Sequence, residues 1–152
     1  MKTGAKGIAL IKEKEEFRAR WYTCPTGYPT IGYGHVIQKG EEHYYKVALT
    51  EPEAAALLAK DLARYEKAVL RGTEAVTLTQ NQFDACVCLC YNIGEAGFES
   101  STVARRITAR TSEATIREAW SRWNKGTVKG QKVTLPGLVK RRKEEADLFF
   151  SK

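Results

Sequence analysis

The spacing of apolar positions changes character several times along the chain. In KGIALIKEKEE, residues 6 to 16, apolar residues recur at helical spacing. The run predicts a short amphipathic helix with Ile8 and Ile11 turned inward and Leu10 beside them. From Phe17 to Ile37 aromatic and β-branched residues alternate with Pro25, Gly27, Pro29, Gly32 and Gly34. That pattern predicts short strands joined by tight turns. VIQKGEEHYYKVAL reads as a loop containing one ill-defined element. TEPE, residues 50 to 53, is a capping box with Thr50 at the N-cap, Glu53 three residues later and Pro52 in the first turn. The helix it opens is expected to run to about Leu70 and to stop near Gly72. Thr79 and Gln82 form a second box, opening a helix through Cys90. Phe83, Ala85, Cys86, Val87, Cys88, Leu89 and Cys90 make that helix apolar nearly all round, the mark of a central buried helix. Short helices are expected over 99–109 and 114–124, and a last one from Leu138 to Phe150 with Pro136 near its start.

The sum is an α+β fold, mainly α, in one domain spanning residues 1–152. A small β-lobe at about 17–50 would pack against a helical lobe at about 51–152 that also takes the N-terminal helix. Two lobes in a short chain leave a cleft, and clefts bind ligands. No apolar run reaches the length of about 18 residues that a membrane span needs. The N-terminus lacks the apolar core and cleavage site of a signal peptide, so stable membrane insertion is not expected.

Charge narrows the list of partners. The chain has 25 basic and 18 acidic residues, a net charge of +7, with basic clusters in KGTVKGQKV and VKRRK. Such a balance attracts polyanions. No zinc-finger or RNA-recognition signature accompanies it, so no nucleic-acid partner is expected. Three of the four cysteines, Cys86, Cys88 and Cys90, lie two apart on the predicted buried helix and point to different sides. They read as buried thiols acting as small hydrophobes, not as metal ligands or a disulfide framework. Cys24 stands apart in a polar, turn-rich segment.

Glu15, Cys24 and Thr30 have the form E-x8-C-x5-T. A hairpin would bring Cys24 and Thr30 together, and the end of the first helix would place Glu15 across from them. Glycoside hydrolysis needs an acid to protonate the leaving oxygen and a second group to activate water or attack. A carboxyl, a thiol and a hydroxyl around one cleft meet that need.

The residues also carry a resemblance. EEFRARWYTCPTGYPTIGYGH is similar to the active-site segment of the phage lysozymes, the endolysins of glycoside hydrolase family 24, of form E-G-x-R-x-x-x-Y-x-[D or C]-x-x-G-x-x-T-I-G-x-G-H. LTEPEAAALLAKDLARYEKAV, LTQNQFDACVCLCYNIGEAGFESSTVARRI and WSRWNKGTVKGQKVTLPGLVKRRKEEADLF resemble later parts of the same family, in order. The resemblance implies a lysozyme-like fold and a muramidase that hydrolyses the β-1,4 bond between N-acetylmuramic acid and N-acetylglucosamine in peptidoglycan. It implies Glu15 as general acid, with Cys24 at the position where many members carry Asp and some Cys. Thr30 would help position water. The role of Cys24 stays open among covalent nucleophile, base and water-positioning group. By the same resemblance Val36, Tyr91 and Ser101 line the saccharide cleft, and His35 pairs structurally with Asp61. Glu16 stands where the family usually has Gly. No metal and no organic cofactor is implied. The expected setting is a monomer held in the host cytoplasm until a holin opens the way to the wall. The rival reading is a catalytically inactive saccharide binder with the same fold.

Overall fold

The computed structural model describes residues 1–152. The chain divides into two compact units: Ala9–Ala63, and Met1–Ile8 together with Arg64–Lys152. The divisions fall inside two helices, α1 (Ala5–Glu15) and α2 (Glu51–Gly72). The first unit therefore takes residues 9–15 and 51–63, which the sequence pattern assigned to the helical lobe.

The unit Ala9–Ala63 is built around a three-stranded antiparallel sheet of β1 (Arg18–Thr23), β2 (Pro29–Gly32) and β3 (His35–Val36), in that order. The turn chemistry explains the β1–β2 hairpin. Gly27 donates to the Cys24 carbonyl at 2.8 Å and Cys24 donates to the Tyr28 carbonyl at 3.0 Å. Gly27 has φ +91°, so Pro25, Thr26 and Gly27 form a three-residue loop ending in a left-handed residue. Ile11, Ile31, Ile37, Ala54, Leu58 and Leu62 are buried as this unit's core. The ill-defined element is a 3₁₀ turn, Glu42–Lys46. The Thr50–Glu53 box is formed, at 3.2 Å and 2.9 Å.

The other unit centres on α3 (Gln80–Ile93), which runs three residues past the expected end at Cys90. Thr79 and Gln82 cap it reciprocally. Every residue from Phe83 to Cys90 is buried, including all three cysteines. Asp84 is the one carboxylate in that stretch, and it accepts from the backbone N–H groups of Gly4 (2.9 Å) and Gly7 (3.1 Å). It thereby satisfies orphan donors at the start of α1. A Cβ at position 7 would lie 2.7 Å from that of Asp84, so the close approach needs glycine.

Three expectations need correction here. The helix expected over 99–109 is shorter, α5 (Thr102–Thr108), and a separate short helix, α4 (Glu95–Glu99), precedes it. Ser101 divides them: its backbone is extended and its hydroxyl caps the Ala104 N–H. The helix expected over 114–124 is α6 (Glu113–Ser121), capped by Ser112. Residues read only as a basic cluster form a hairpin of β4 (Lys125–Val128) and β5 (Gln131–Thr134). Lys129 and Gly130 both have positive φ, +50° and +79°, which makes the two-residue turn matching strand twist. The last helix, α7 (Pro136–Phe149), buries Glu145 completely. Arg141, Arg142 and the Trp120 indole N–H all donate to Glu145, tying α6 to α7.

Candidate active site

Glu15 is the last residue of α1 and is half-buried. The next residue leaves the helix abruptly: Glu16 has φ +59° and its N–H donates to the Lys12 carbonyl at 3.0 Å. This is a left-handed helix end, where glycine is the unstrained choice. The turn directs the chain into β1 and sets Glu15 at the junction of helix and sheet.

Thr30 is buried in β2. Its partners across the ladders are Tyr22 on β1 and Val36 on β3, so Tyr22, Thr30 and Val36 form one row across the sheet. Directly opposed residues share a face. Thr30 Oγ1 donates to the Tyr28 carbonyl at 3.0 Å, the same oxygen that accepts the Cys24 N–H. Cys24 and Thr30 are thus fixed to one acceptor.

The Cys24 side chain is half-buried at the mouth of the hairpin loop. Its Sγ lies 2.9 Å from Thr26 Oγ1. Burial pushes the thiol pKa up, but hydrogen bonds from the Thr26 and Thr30 side chains and from the Tyr28 and Thr26 backbone outweigh it. They bring the pKa down to about 7. The buried thiols go the other way. Burial drives Cys86 and Cys88 well above 9.0, and Cys90 to about 12. Only Cys24 is poised to ionise near neutrality.

Tyr22 is a site residue that sequence reasoning passed over. Burial raises its phenol above 10.0. The Arg18 guanidinium, 4.6 Å over its ring, pulls it back, while the negative charges of Glu15, Cys24 and Glu16 push it up again. The tyrosine therefore lies within the field of both candidate catalytic groups. The available signal was the Y of the quoted pattern, two residues before the [D or C] position, which Tyr22 matches.

His35 is buried in β3 between two carboxylates. Its Nδ1 is 2.7 Å from Asp61 Oδ2 and its Nε2 is 3.0 Å from Glu41 Oε1. Burial opposes the charged ring, but Asp61 and then Glu41 outweigh it and raise the pKa above 6.5. Glu41 is held below 4.5 by the Gln38 N–H and by His35, against the effect of burial. Both ring nitrogens are engaged, so His35 acts as a brace between β3, α2 and the 3₁₀ segment. Glu41 was not foreseen.

Tyr91 and Ser101 belong to the other unit. Tyr91 packs edge-on against Tyr65 at 5.0 Å. Ser101 is buried, and its hydroxyl donates to the Phe98 carbonyl at 2.6 Å while accepting from Ala104. No group of three or more His, Cys, Asp or Glu side chains is arranged to hold a metal ion.

A family model described as Phage lysozyme matches residues 12–145. An endolysin of Acyrthosiphon pisum secondary endosymbiont phage 1 is 37% identical over 153 residues, covering 99% of each chain. Among solved structures, an endolysin from Escherichia coli O157:H7 phage FAHEc1 superposes with a TM-score of 0.89 at 37% identity, over 99% of this chain and 94% of that one. The muramidase domain of SpmX from Asticaccaulis excentricus gives 0.86 at 35% identity, over 99% of both. The mainly helical fold with this small sheet, the family model and these relatives together make the chain a glycoside hydrolase of the lysozyme class. The chain belongs to the phage lysozyme family.

Proposed function

We propose that the protein cleaves the β-1,4 bond between N-acetylmuramic acid and N-acetylglucosamine in peptidoglycan, with Glu15 as general acid and Cys24 and Thr30 handling the attacking water. The observation that supports this most directly is the convergence of Cys24 and Thr30 on the Tyr28 carbonyl. The single Thr30 hydroxyl proton goes to that carbonyl or to the Cys24 thiolate, so in either case Thr30 presents only lone pairs to a water. A water donating one hydrogen to Thr30 Oγ1 and the other to the Cys24 thiolate has its own lone pair free for the anomeric carbon. A thiol with a pKa of about 7 supplies that thiolate at neutral pH, with Thr26 donating to it. As the water attacks, its proton passes to Cys24, and Glu15 gives its proton to the departing glycosidic oxygen. Exchange with solvent then restores both groups. A single displacement of this kind inverts the anomeric centre.

Val36, beside Thr30 in the sheet, is proposed to contact the saccharide. Tyr91 is proposed to do so as well. With its hydroxyl engaged as a helix cap, Ser101 would contribute mainly shape. No helix is long and apolar enough to cross a membrane. Release from the host cytoplasm by a holin, as a monomer, completes the proposal and is supported by the relatives' description as endolysins.

The test is mass analysis of products from purified peptidoglycan, with Glu15→Gln alongside. Reducing muramic-acid ends without anhydro forms are expected. Glu15→Gln should cut the rate by roughly 100- to 10,000-fold. Near-normal activity of Glu15→Gln with a dead Glu16→Gln would move the acid by one residue.

A further inference from the structure

The positive charge of the chain is concentrated in one place. Residues 119–143 hold eight of the 25 Lys and Arg residues and no Asp or Glu, which leaves 17 basic and 18 acidic residues elsewhere. Half of the eight are spent internally. Arg141 and Arg142 bind Glu145, Arg122 binds Glu118, and Lys143 binds Asp147. Lys125, Lys129, Lys132 and Lys140 are exposed, and no carboxylate pairs with them.

Two of these four face one pocket. In the hairpin, Lys125 pairs with Thr134 and Thr127 with Lys132, so both lysines and both threonines occupy the same face of the ribbon. The lysines are diagonal neighbours on that face, within about 7–8 Å at the Cβ atoms. The opposite face carries Gly126, Val128 and Val133, with a Leu135 methyl 2.4 Å from where a Cβ on Gly126 would stand. The polar face borders a pocket of about 490 Å³ lined also by Ser101, Thr102, Arg122 and Trp123. Two ammonium groups held side by side repel one another unless an anion lies between them. The Lys129–Gly130 turn fixes the register that keeps them there.

We infer that this pocket takes the carboxylates of peptidoglycan stem peptides, with Lys125 and Lys132 as the recognising cations, so that the enzyme prefers wall whose stem acids are free over wall whose acids are amidated. The inference rests on the muramidase reading. A stem peptide hangs from the lactyl group of muramic acid, so its carboxylates accompany the bond that is cut. An amide at the same place is neutral and leaves the two lysines without a counter-charge. The Trp123 ring and the Thr102 hydroxyl on the pocket wall suit a peptide backbone lying across it.

The experiment compares kcat/KM on purified peptidoglycan with free stem carboxylates and on the same material amidated chemically with ammonia and a carbodiimide. It uses the wild-type chain, K125Q/K132Q and the charge-preserving K125R/K132R. An exposed ion pair is worth about 1.4- to 5-fold, so two give a preference of roughly 2- to 25-fold for the free acid. That preference should lie mainly in KM and shrink as salt is raised. K125Q/K132Q should bring the ratio to about one, and K125R/K132R should retain most of it. Thermal melting should be nearly unchanged, since both side chains are exposed. A wild-type ratio near one overturns the inference, as does a double glutamine variant that keeps the wild-type ratio. Failure to release muramic-acid reducing ends from either material overturns the muramidase reading and this inference with it.

Discussion

Treatment with a small alkylating agent separates Cys24 from the other cysteines by a margin that follows from their surroundings. The thiolate is the reacting species. With a pKa of about 7, Cys24 is about half ionised at pH 7, whereas a thiol at about 12, as for Cys90, is ionised to only about one part in 100,000. A weaker acid makes a stronger nucleophile, with a Brønsted slope of about 0.4–0.5, which returns a little over two of those five decades. Cys24 should therefore react several hundred-fold faster than Cys90 on ionisation alone. Burial of Cys86, Cys88 and Cys90, all fully enclosed, widens the gap. Peptide mapping by mass spectrometry against time and pH gives both the site and the rate. The rate at Cys24 should rise through a midpoint near pH 7, in step with loss of wall-clearing activity. Thr26 is the leading hydrogen-bond donor to the thiolate. Thr26→Val should move the midpoint up by about one unit, the size of one exposed charge-assisted hydrogen bond. A midpoint at or above about 8.5 in the wild type, the ordinary thiol value, would refute the account of the hairpin as a thiolate-stabilising loop. Full activity after complete alkylation would remove Cys24 from the mechanism.

Glu16→Gly should stabilise the protein by up to about 1 kcal/mol, because a left-handed residue costs about 1–2 kcal/mol with a side chain and glycine returns part of that in chain entropy. Calorimetry should show a melting rise of about 2–4 °C, and a fall would refute the strain. Asp84→Ala should cost about 2–4 kcal/mol in chemical denaturation, since the N–H groups of Gly4 and Gly7 lose their acceptor in a buried place; a change under about 0.5 kcal/mol would count against it. Asp61→Asn should be most damaging between about pH 4.5 and 6.5. The raised His35 pKa makes its ionic contribution complete below 6.5 and lost as pH rises through the folded value, while the lowered Glu41 pKa makes that contribution present above 4.5 and lost on acidification. Equal melting shifts at pH 5.5 and pH 9 would speak against a charged His35.

What the sequence revealed of the fold depended on how local the cause was. The Thr50–Glu53 and Thr79–Gln82 boxes are complete within four residues, and each helix begins where its box predicts. The buried character of α3 is written in consecutive residues. Ser101 misled because serine is tolerated inside a helix and only the extended backbone reveals it as a cap. The β4–β5 hairpin was hidden by its lysines: charge drew attention away from Lys129–Gly130, whose turn chemistry was present in the sequence. Asp84 and Glu145 could not be read at all. Their partners at Gly4, Gly7 and Trp120 lie far off in sequence, and only folding supplies the contact.

The site divides along the same line. Spacing alone left Glu15, Cys24 and Thr30 an ordinary set of residue types, and the resemblance singled them out. The residues that make Cys24 chemically fit are a different set. A carboxylate at position 24 would ionise unaided at neutral pH, with an ordinary pKa near 4. A thiol needs donors, and Thr26 in the three-residue loop supplies the leading one, while the Tyr28 carbonyl just beyond the loop accepts from both the Cys24 N–H and the Thr30 hydroxyl and so orients the two together. Position 26 therefore matters in this chain in a way it need not where position 24 is Asp. Cys24→Asp should accordingly make activity insensitive to Thr26→Val, while the thiol enzyme loses activity at pH 7 as its thiolate fraction falls. Equal sensitivity of both backgrounds, measured as kcat/KM on peptidoglycan between pH 6 and 9, would show that Thr26 acts through the shape of the hairpin and not through the charge on Cys24.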